Sequence, residues 1–319
     1  MKIAFFGTGE FSKNILKGIL EIKDNYKESI EPCLVVSQPD KPKGRDKIIS
    51  NTPIKEFALD NNIKVLQPAK LKNNEDFFSD LKKLNLDFII VVAYGKIIPK
   101  EILEIPKYGC INIHGSILPK YRGASPIQES IKNGDILTGL TIMYMSEGMD
   151  EGDVLKIEEV EVDNVDKTFD IFRKFEKIGP KLLLNTLFGV IDGKIKGIPQ
   201  DNTKATYCKK IEKEDGFVDF KKETSFEIYN KFRAYYKWPG IYTNYLGKKL
   251  NLEEISIDNQ SRQESGQVGQ VIKLENKKIG VICKDNKAII LEKVKLEGKK
   301  SMSIMDFING NKNFISVIS

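Results

Sequence analysis

Histidine is the scarcest reactive residue in this sequence: among 319 residues there is one, His114. Cysteine is little better represented. Cys33, Cys110, Cys208 and Cys283 stand far apart, with no Cys-x-x-Cys pair. Together these shortages argue against a zinc site and against a disulfide framework, and they suit a reducing cytosol. No apolar run approaches the ~20 residues that span a bilayer. The opening stretch MKIAFFGTGEF is too short in its apolar part for a secretion signal and ends in a glycine turn, so a soluble, cytoplasmic protein is expected. Two familiar glycine motifs are also missing. Ser12 stands where the dinucleotide fingerprint GxGxxG has its third glycine, so NAD binding is not inferred. No Gly-x-Ser-x-Gly elbow surrounds Ser116, which argues against acyl-enzyme chemistry. Internal repeats and heptad arrays are absent too.

What is present is ordinary in amount and uneven in placement. The chain is 40% hydrophobic and 30% charged, and its length predicts two domains. Residues 207–319 hold 21 Lys and Arg against 15 Asp and Glu, which accounts for the whole net charge of +6. A neutral front and a basic tail point to a catalytic domain joined to a module that meets a polyanion; the alternative is a solvated lysine-rich surface.

Taken in order, Lys2 to Phe6 reads as a buried strand, Gly7-Thr8-Gly9 as a tight turn, and Phe11 to Ile22 as an amphipathic helix. Cys33 to Ser37 is a second strand. Residues 38–52 (QPDKPKGRDKIISNT) read as a long polar loop whose Lys41, Lys43, Arg45 and Lys47 can contact phosphate, unless it is only a solvated surface loop. Lys64 to Leu66 is a short strand and Asn74 to Leu84 a helix. Asp87 to Ala93 (DFIIVVA) is continuously apolar after its leading aspartate, as in a strand buried on both faces. The alternation predicts a Rossmann-like, doubly wound, mostly parallel α/β sheet. Thr138 to Met145 and Val154 to Val162 read as further strands. A helix over Phe169 to Val190 is expected to break or kink at Pro180. The domain expectation is 1–190 for the catalytic part, an extended linker over 191–208, and a small C-terminal OB-like β-barrel over 209–319, built from strands near 241–246, 249–257, 268–274, 278–283 and 287–295. Trp238 is expected in the barrel core.

The most informative stretch runs from Gly109 to Asp153. If Cys110 to His114 is a strand, Ile111 and Ile113 face one way while Asn112 and His114 face the other. A polar pair then projects at the carboxyl end of a strand, where open α/β sheets bind ligands. Asp150 follows in a loop flanked by Gly148 and Gly152. An amide, an imidazole and a carboxylate can supply an oxyanion donor, an acid/base, and a group that favours the charged imidazole. The competing reading makes His114 a hydrogen-bonded core residue and Asp150 a turn residue.

The pattern Asn112-x-His114, Ser116-Ile117-Leu118-Pro119 and, 36 residues after the histidine, Asp150-Glu151-Gly152-Asp153 resembles the formyltransferases that use 10-formyltetrahydrofolate. The branch acting on aminoacylated tRNA is the nearest in wording, through FFGTGEFS, QPDKPKGR, AYGKIIP, GASPIQ, TIMYMSEGMDEGD, PQDNTKATYCKKI and RAYYKWPGIYT. Ile117 and Lys120-Tyr121 are conservative departures. The resemblance covers nearly the whole chain. It implies 10-formyltetrahydrofolate as formyl donor, no metal, and catalytic roles for Asn112, His114 and Asp150. It implies a folate slot lined by Tyr94, Gly95, Ile97, Ile98, Ser116, Ile117, Leu118 and Pro119. It also implies initiator methionyl-tRNA as partner, met by Lys43, Arg45, Lys47, Lys209, Lys210 and Lys213, with no membrane partner and a monomeric chain. A small amine such as an amino sugar-nucleotide, formylated without RNA, is the alternative acceptor, since such relatives share the triad and the WPG segment.

Overall fold

The computed structural model describes residues 1–43, 48–257, 266–274 and 277–316. The chain divides into two compact units: residues 1–126, 137–161 and 171–208 form the first, and 127–136, 162–170 and 209–319 the second.

The first unit is laid down by β1 (Lys2–Gly7), α1 (Glu10–Ile22), β2 (Glu31–Val36), β3 (Lys41–Lys43), β4 (Ile48–Ser50), α2 (Pro53–Asp60), β5 (Lys64–Leu66), α3 (Glu75–Lys83), β6 (Phe88–Val92), α4 (Lys100–Leu103), β7 (Cys110–His114) and β8 (Arg122–Gly123). After α5 (Pro126–Lys132), which clusters with the second unit, it resumes with β9 (Leu137–Tyr144), β10 (Val154–Glu161), α6 (Thr168–Ile191) and β11 (Tyr207–Cys208). Seven strands form one sheet in the order β10-β9-β7-β6-β1-β2-β5. The run from β7 to β5 is parallel, while β9 and β10 join antiparallel at one edge. Every residue of β6 (FIIVV) is buried, as a strand with parallel neighbours on both sides and helices over both faces requires. The order of the parallel strands reverses between β1 and β6, so a crevice opens outside their carboxyl ends.

Close packing at that reversal explains the glycine turn. Ser12 is fully buried; its hydroxyl donates to the Val92 carbonyl (2.7 Å) and accepts the Thr8 N–H (3.1 Å). A Cβ on Gly7 would sit 2.5 Å from the Ser12 Cβ. The residue in the third-glycine position thus ties β1 to β6.

Two elements differ from expectation. Residues 38–52 contain a hairpin rather than a plain loop: Lys41, Pro42 and Lys43 pair with Ser50, Ile49 and Ile48, consistent with the β-branched isoleucines on the return strand. Asp40 pins its base, accepting from Thr52 N–H (3.2 Å), Gln67 (2.8 Å) and Lys55 (2.5 Å). Pro180 does not end the long helix, because α6 runs through it for 24 residues. The ring lies against Gly18 of α1, where a Cβ would come within 2.4 Å of the Pro180 Cγ, so tertiary packing offsets the helix bond that proline cannot make.

Beyond residue 191 the chain is irregular but docked on the first unit. Ile198 bridges Val154, and β11 runs parallel to β8. The matching of residues 122–123 to 207–208 is what the absence of periodicity concealed.

The second unit continues with α7 (Ser225–Ala234), β12 (Ile241–Tyr245), β13 (Lys248–Ile257), β14 (Val271–Lys273), β15 (Ile279–Ile282), β16 (Ala288–Leu296), β17 (Met302–Ser303) and α8 (Ile304–Gly310). Its strands form a curled antiparallel sheet in the order β12-β13-β16-β15-β14, with β17 also on β16. A capping box between Thr224 and Glu227 starts α7. Tyr245, Phe307 and Phe314 pack edge to face at 5.0–5.7 Å. Trp238 is 55% exposed, not part of this core. Tyr235 takes a buried position after α7, Tyr236 is half-buried against Phe232, and Lys237, at φ +70°, reverses the chain before the exposed Trp238. No helix among the described residues is long and apolar enough to cross a membrane.

Candidate active site

The sheet brings Asn112, His114 and Asp150 together. β7 pairs with β9 in a register that sets Asn112 opposite Met143 and His114 opposite Thr141. The loop after β9 then returns Asp150 to the end of β7. Asp150 Oδ1 lies 3.4 Å from Asn112 Nδ2, and Oδ2 lies 3.6 Å from His114 Nδ1. The same Oδ2 accepts the Gly123 N–H at 2.8 Å. His114 is 5% exposed and the Asp150 side chain 20%. On the other side of the ring, Nε2 faces the Tyr121 carbonyl at 2.9 Å. A carbonyl only accepts, so Nε2 carries a proton. Nδ1 in turn faces the Asp150 carboxylate.

Backbone conformation at the site is unusual. Ala93, Tyr121 and Asp150 are left-handed, with φ of +46°, +59° and +52°. Each such non-glycine residue costs on the order of 1 kcal/mol or more and clusters where function demands it. Tyr121 presents its carbonyl to the imidazole from that conformation, and Asp150 its carboxylate.

The expected folate-lining segments leave the same sheet edge, after the adjacent parallel strands β6 and β7. Their side chains divide. The Tyr94 ring is core, packed on Phe6 with centroids 5.4 Å apart, and burial pushes its phenol up to about 12. The Tyr94 carbonyl accepts from Gln38 Nε2 (2.7 Å) and Thr8 Oγ1 (3.1 Å). Gly95 is left-handed, Ile97 is 88% exposed, and Ile98 is buried. Ser116 is fully buried, its hydroxyl donating to the Lys120 carbonyl at 2.6 Å. Ile117 packs against Gly139, Leu118 is buried, and the Leu118–Pro119 peptide is cis.

Several residues that hold the site carried no legible signal. Thr141 donates to the Ser116 carbonyl (2.6 Å) and accepts the Leu118 N–H (3.2 Å), fixing the segment after His114. Gln38 ties the base of the hairpin to the Tyr94 carbonyl. Gln200 reaches the loop that carries Asp150, and Arg122 in turn holds Gln200. Each is a single polar residue in a strand or irregular segment, and only its tertiary neighbours reveal its use.

Of the residues expected to meet RNA, Arg45 and Lys47 lie outside the described residues, and Lys43 closes β3. Lys209 forms an ion pair with Asp215 at 2.7 Å, while Lys210 and Lys213 are exposed. Among the described residues, no three His, Cys, Asp or Glu side chains converge as a metal-ligand set.

Residues 1–187 match the formyl transferase family and residues 210–312 the formyl transferase C-terminal domain. The chain belongs to the formyl transferase family. It is 46% identical to the methionyl-tRNA formyltransferase of Caldicellulosiruptor saccharolyticus, covering 98% of this chain and 97% of the relative. Identity to the methionyl-tRNA formyltransferase of Clostridium novyi is 40%, again over 98% and 97%. Among solved structures, the sugar 3N-formyl transferase WlaRD superimposes with a TM-score of 0.64 at 23% identity, covering 94% of this chain and 99% of that one. An N-formyltransferase from Helicobacter canadensis, solved with folinic acid and dTDP-3-aminofucose, gives a TM-score of 0.65 at 21% identity over 91% and 98%. At such identities the structural likeness speaks to the fold alone.

Proposed function

We infer that this enzyme transfers the formyl group of 10-formyltetrahydrofolate to the α-amino group of methionine on initiator methionyl-tRNA. The observation that carries the reading is the meeting of Asn112, His114 and Asp150 at the end of β7, in a chain 46% identical to a methionyl-tRNA formyltransferase across nearly its whole length. The neutral amine attacks the formyl carbon and the carbonyl oxygen gains charge. Asn112 donates its amide N–H to that oxygen; one such donor is worth about 3–4 kcal/mol of barrier. The proton released by the attacking nitrogen must reach N10, whose bond to the formyl carbon breaks. With Nε2 of His114 engaged by the Tyr121 carbonyl, the longer Nδ1–Asp150 side is the end that exchanges this proton. Products are the formamide and tetrahydrofolate, with no covalent enzyme intermediate and no metal required.

The folate ring binds against the backbone of residues 94–98 and 116–119, by hydrogen bonds and apolar walls. Lys43, Arg45 and Lys47 meet the acceptor end of the tRNA, and Lys209, Lys210 and Lys213 its backbone. The protein works as a cytoplasmic monomer, with residues 1–190 as catalytic domain, 191–208 as connecting segment and 209–319 as RNA-contacting domain. The test is transfer of labelled formate from 10-formyltetrahydrofolate to charged initiator tRNA, charged elongator tRNA, an amino sugar-nucleotide or water. Label on initiator methionyl-tRNA is expected; label on the sugar amine, or free formate alone, contradicts the reading.

A further inference from the structure

Asp150 is held by more than its carboxylate. Its own carbonyl and that of Gly152 both accept from Gln200 Nε2, each at 2.8 Å. One side-chain amide thus bridges the carbonyls of the two residues that flank Glu151, one of them the left-handed Asp150. The other end of Gln200 meets a guanidinium: Oε1 accepts from Arg122 Nε (3.1 Å) and Nη2 (2.8 Å). Arg122 also donates to Asn202 Oδ1 (2.8 Å) and the Tyr207 hydroxyl (3.4 Å), and it is only 1% exposed. All these acceptors are neutral side chains.

The orientation of the Gln200 amide follows from donor and acceptor types. Guanidinium only donates, so it requires the oxygen; two carbonyls only accept, so they require the NH2. Burial of the guanidinium makes the arrangement costly to disturb, because a buried charge loses more when a partner is removed than it gained from forming the pair. The same dipeptide reaches Asp150 from both directions. Arg122 acts on its backbone through Gln200, and the Gly123 N–H binds its carboxylate.

Resting on the formyl-transfer reading of Asp150 and His114, we propose that Gln200 is a positioning residue for Asp150, and that Arg122 sets its orientation. The Gln200 side chain bonds to Arg122 and to the carbonyls of Asp150 and Gly152, not to the imidazole. It fixes the loop so that the carboxylate stands beside Nδ1 of His114, and it lies in the chain 50 residues after the acid it serves.

The isosteric variant Gln200→Glu tests this without emptying volume. Its carboxylate still pairs with Arg122, but it sets an oxygen, not an NH2, against the carbonyls of residues 150 and 152. The expected result is a kcat lower by on the order of 10²-fold, with KM for both substrates within about threefold of wild type and a far-UV circular dichroism spectrum that shows the fold intact. Because His114 is the sole histidine, the ring gives one 1H–15N pattern in an untagged protein. That pattern, at fixed pH, should move toward the pattern of Asp150→Asn. Gln200→Ala supplies a second variant should Gln200→Glu fail to fold, and is expected to show the same spectral change. A wild-type kcat, or a ring pattern that stays at the wild-type position while Asp150→Asn shifts it, overturns the proposal. The ring spectrum reads geometry and not turnover. Full activity in Asp150→Asn would therefore defeat the formyl-transfer reading, while the spectral comparison would still decide whether Gln200 holds Asp150.

Discussion

His114 has its two nitrogens in different situations. The Tyr121 carbonyl holds one at 2.9 Å, whereas the other stands 3.6 Å from Asp150. The tight contact fixes the ring, and the loose one leaves an end at which a proton can change hands. Asn112→Ala is expected to lower kcat by roughly 10²–10³-fold, the loss associated with one oxyanion donor, and His114→Ala to remove measurable transfer. Neither should change far-UV circular dichroism, and retention of full turnover in either would remove that residue from the mechanism. Burial pushes the Cys110 and Cys283 thiols up to about 12. Their thiolate fraction is then negligible at pH 8, so a thiol-disulfide dye should leave both unlabelled in native protein and label all four cysteines after denaturation. At this scale Asn112 and His114 were legible because strand alternation put two polar side chains on one face of an apolar run. Asp150 was legible only with its glycine-flanked loop and the family's spacing. Gln200 and Thr141 were not: a polar residue serving distant carbonyls leaves no local periodicity.

The elements of the sheet were readable, since β6 is an unbroken apolar run, β1 is apolar after Lys2, and β7 alternates apolar and polar positions, each closed by turn residues. What misled were positions where tertiary contact overrides local preference. Gly18 admits Pro180, so α6 is continuous; Lys237 adopts a left-handed φ, so Trp238 emerges; and β11 pairs with β8 across some 80 residues of sequence. Gly123 is the critical point of that last pairing. It has φ +121°, and a Cβ there would meet the Cys208 carbonyl oxygen at 2.1 Å. Gly123→Ala should cost about 1–3 kcal/mol of stability from backbone strain alone and weaken the N–H contact to Asp150. A chemical denaturation midpoint equal to wild type would show that the pairing is dispensable. The hairpin of β3 and β4 has its own anchor. Burial disfavours the charged Asp40 carboxylate, but bonds from Lys55, Gln67 and the Thr52 N–H outweigh it and hold the group below its ordinary 3.8. A depressed value in the folded state means that this stabilisation is complete above the unfolded carboxylate range and lost as pH falls through the lower folded value. The protection factor of the Thr52 amide should therefore fall in Asp40→Asn at neutral pH, and in the wild-type protein only in acid. Equal protection in both proteins at pH 7 would count against the anchor.

Over the whole molecule, charge separates the two tasks. Residues 207–319 hold the entire excess of +6, so the folate end of the reaction should be nearly indifferent to salt and the RNA end should not. Lys209 is tied to Asp215, which makes the exposed Lys210 and Lys213 the pair to test for phosphate contact. Reversing both to Glu should raise KM for methionyl-tRNA severalfold and flatten its dependence on salt, without altering KM for the folate. An unchanged salt slope would take this stretch out of RNA binding. The division into a Rossmann-like front and a curled β tail was evident from composition and strand spacing. The docking of residues 192–208 on the front was not, because irregular chain carries no pattern to read.

The account depends on one transfer, and the most direct measurement follows the label. With radioactive 10-formyltetrahydrofolate and equal concentrations of charged initiator tRNA and an amino sugar-nucleotide, wild-type protein should place formate on the methionyl α-amino group, and the His114→Ala protein should place it nowhere. Formate on the sugar amine, or equal labelling of the tRNA by both proteins, would contradict it.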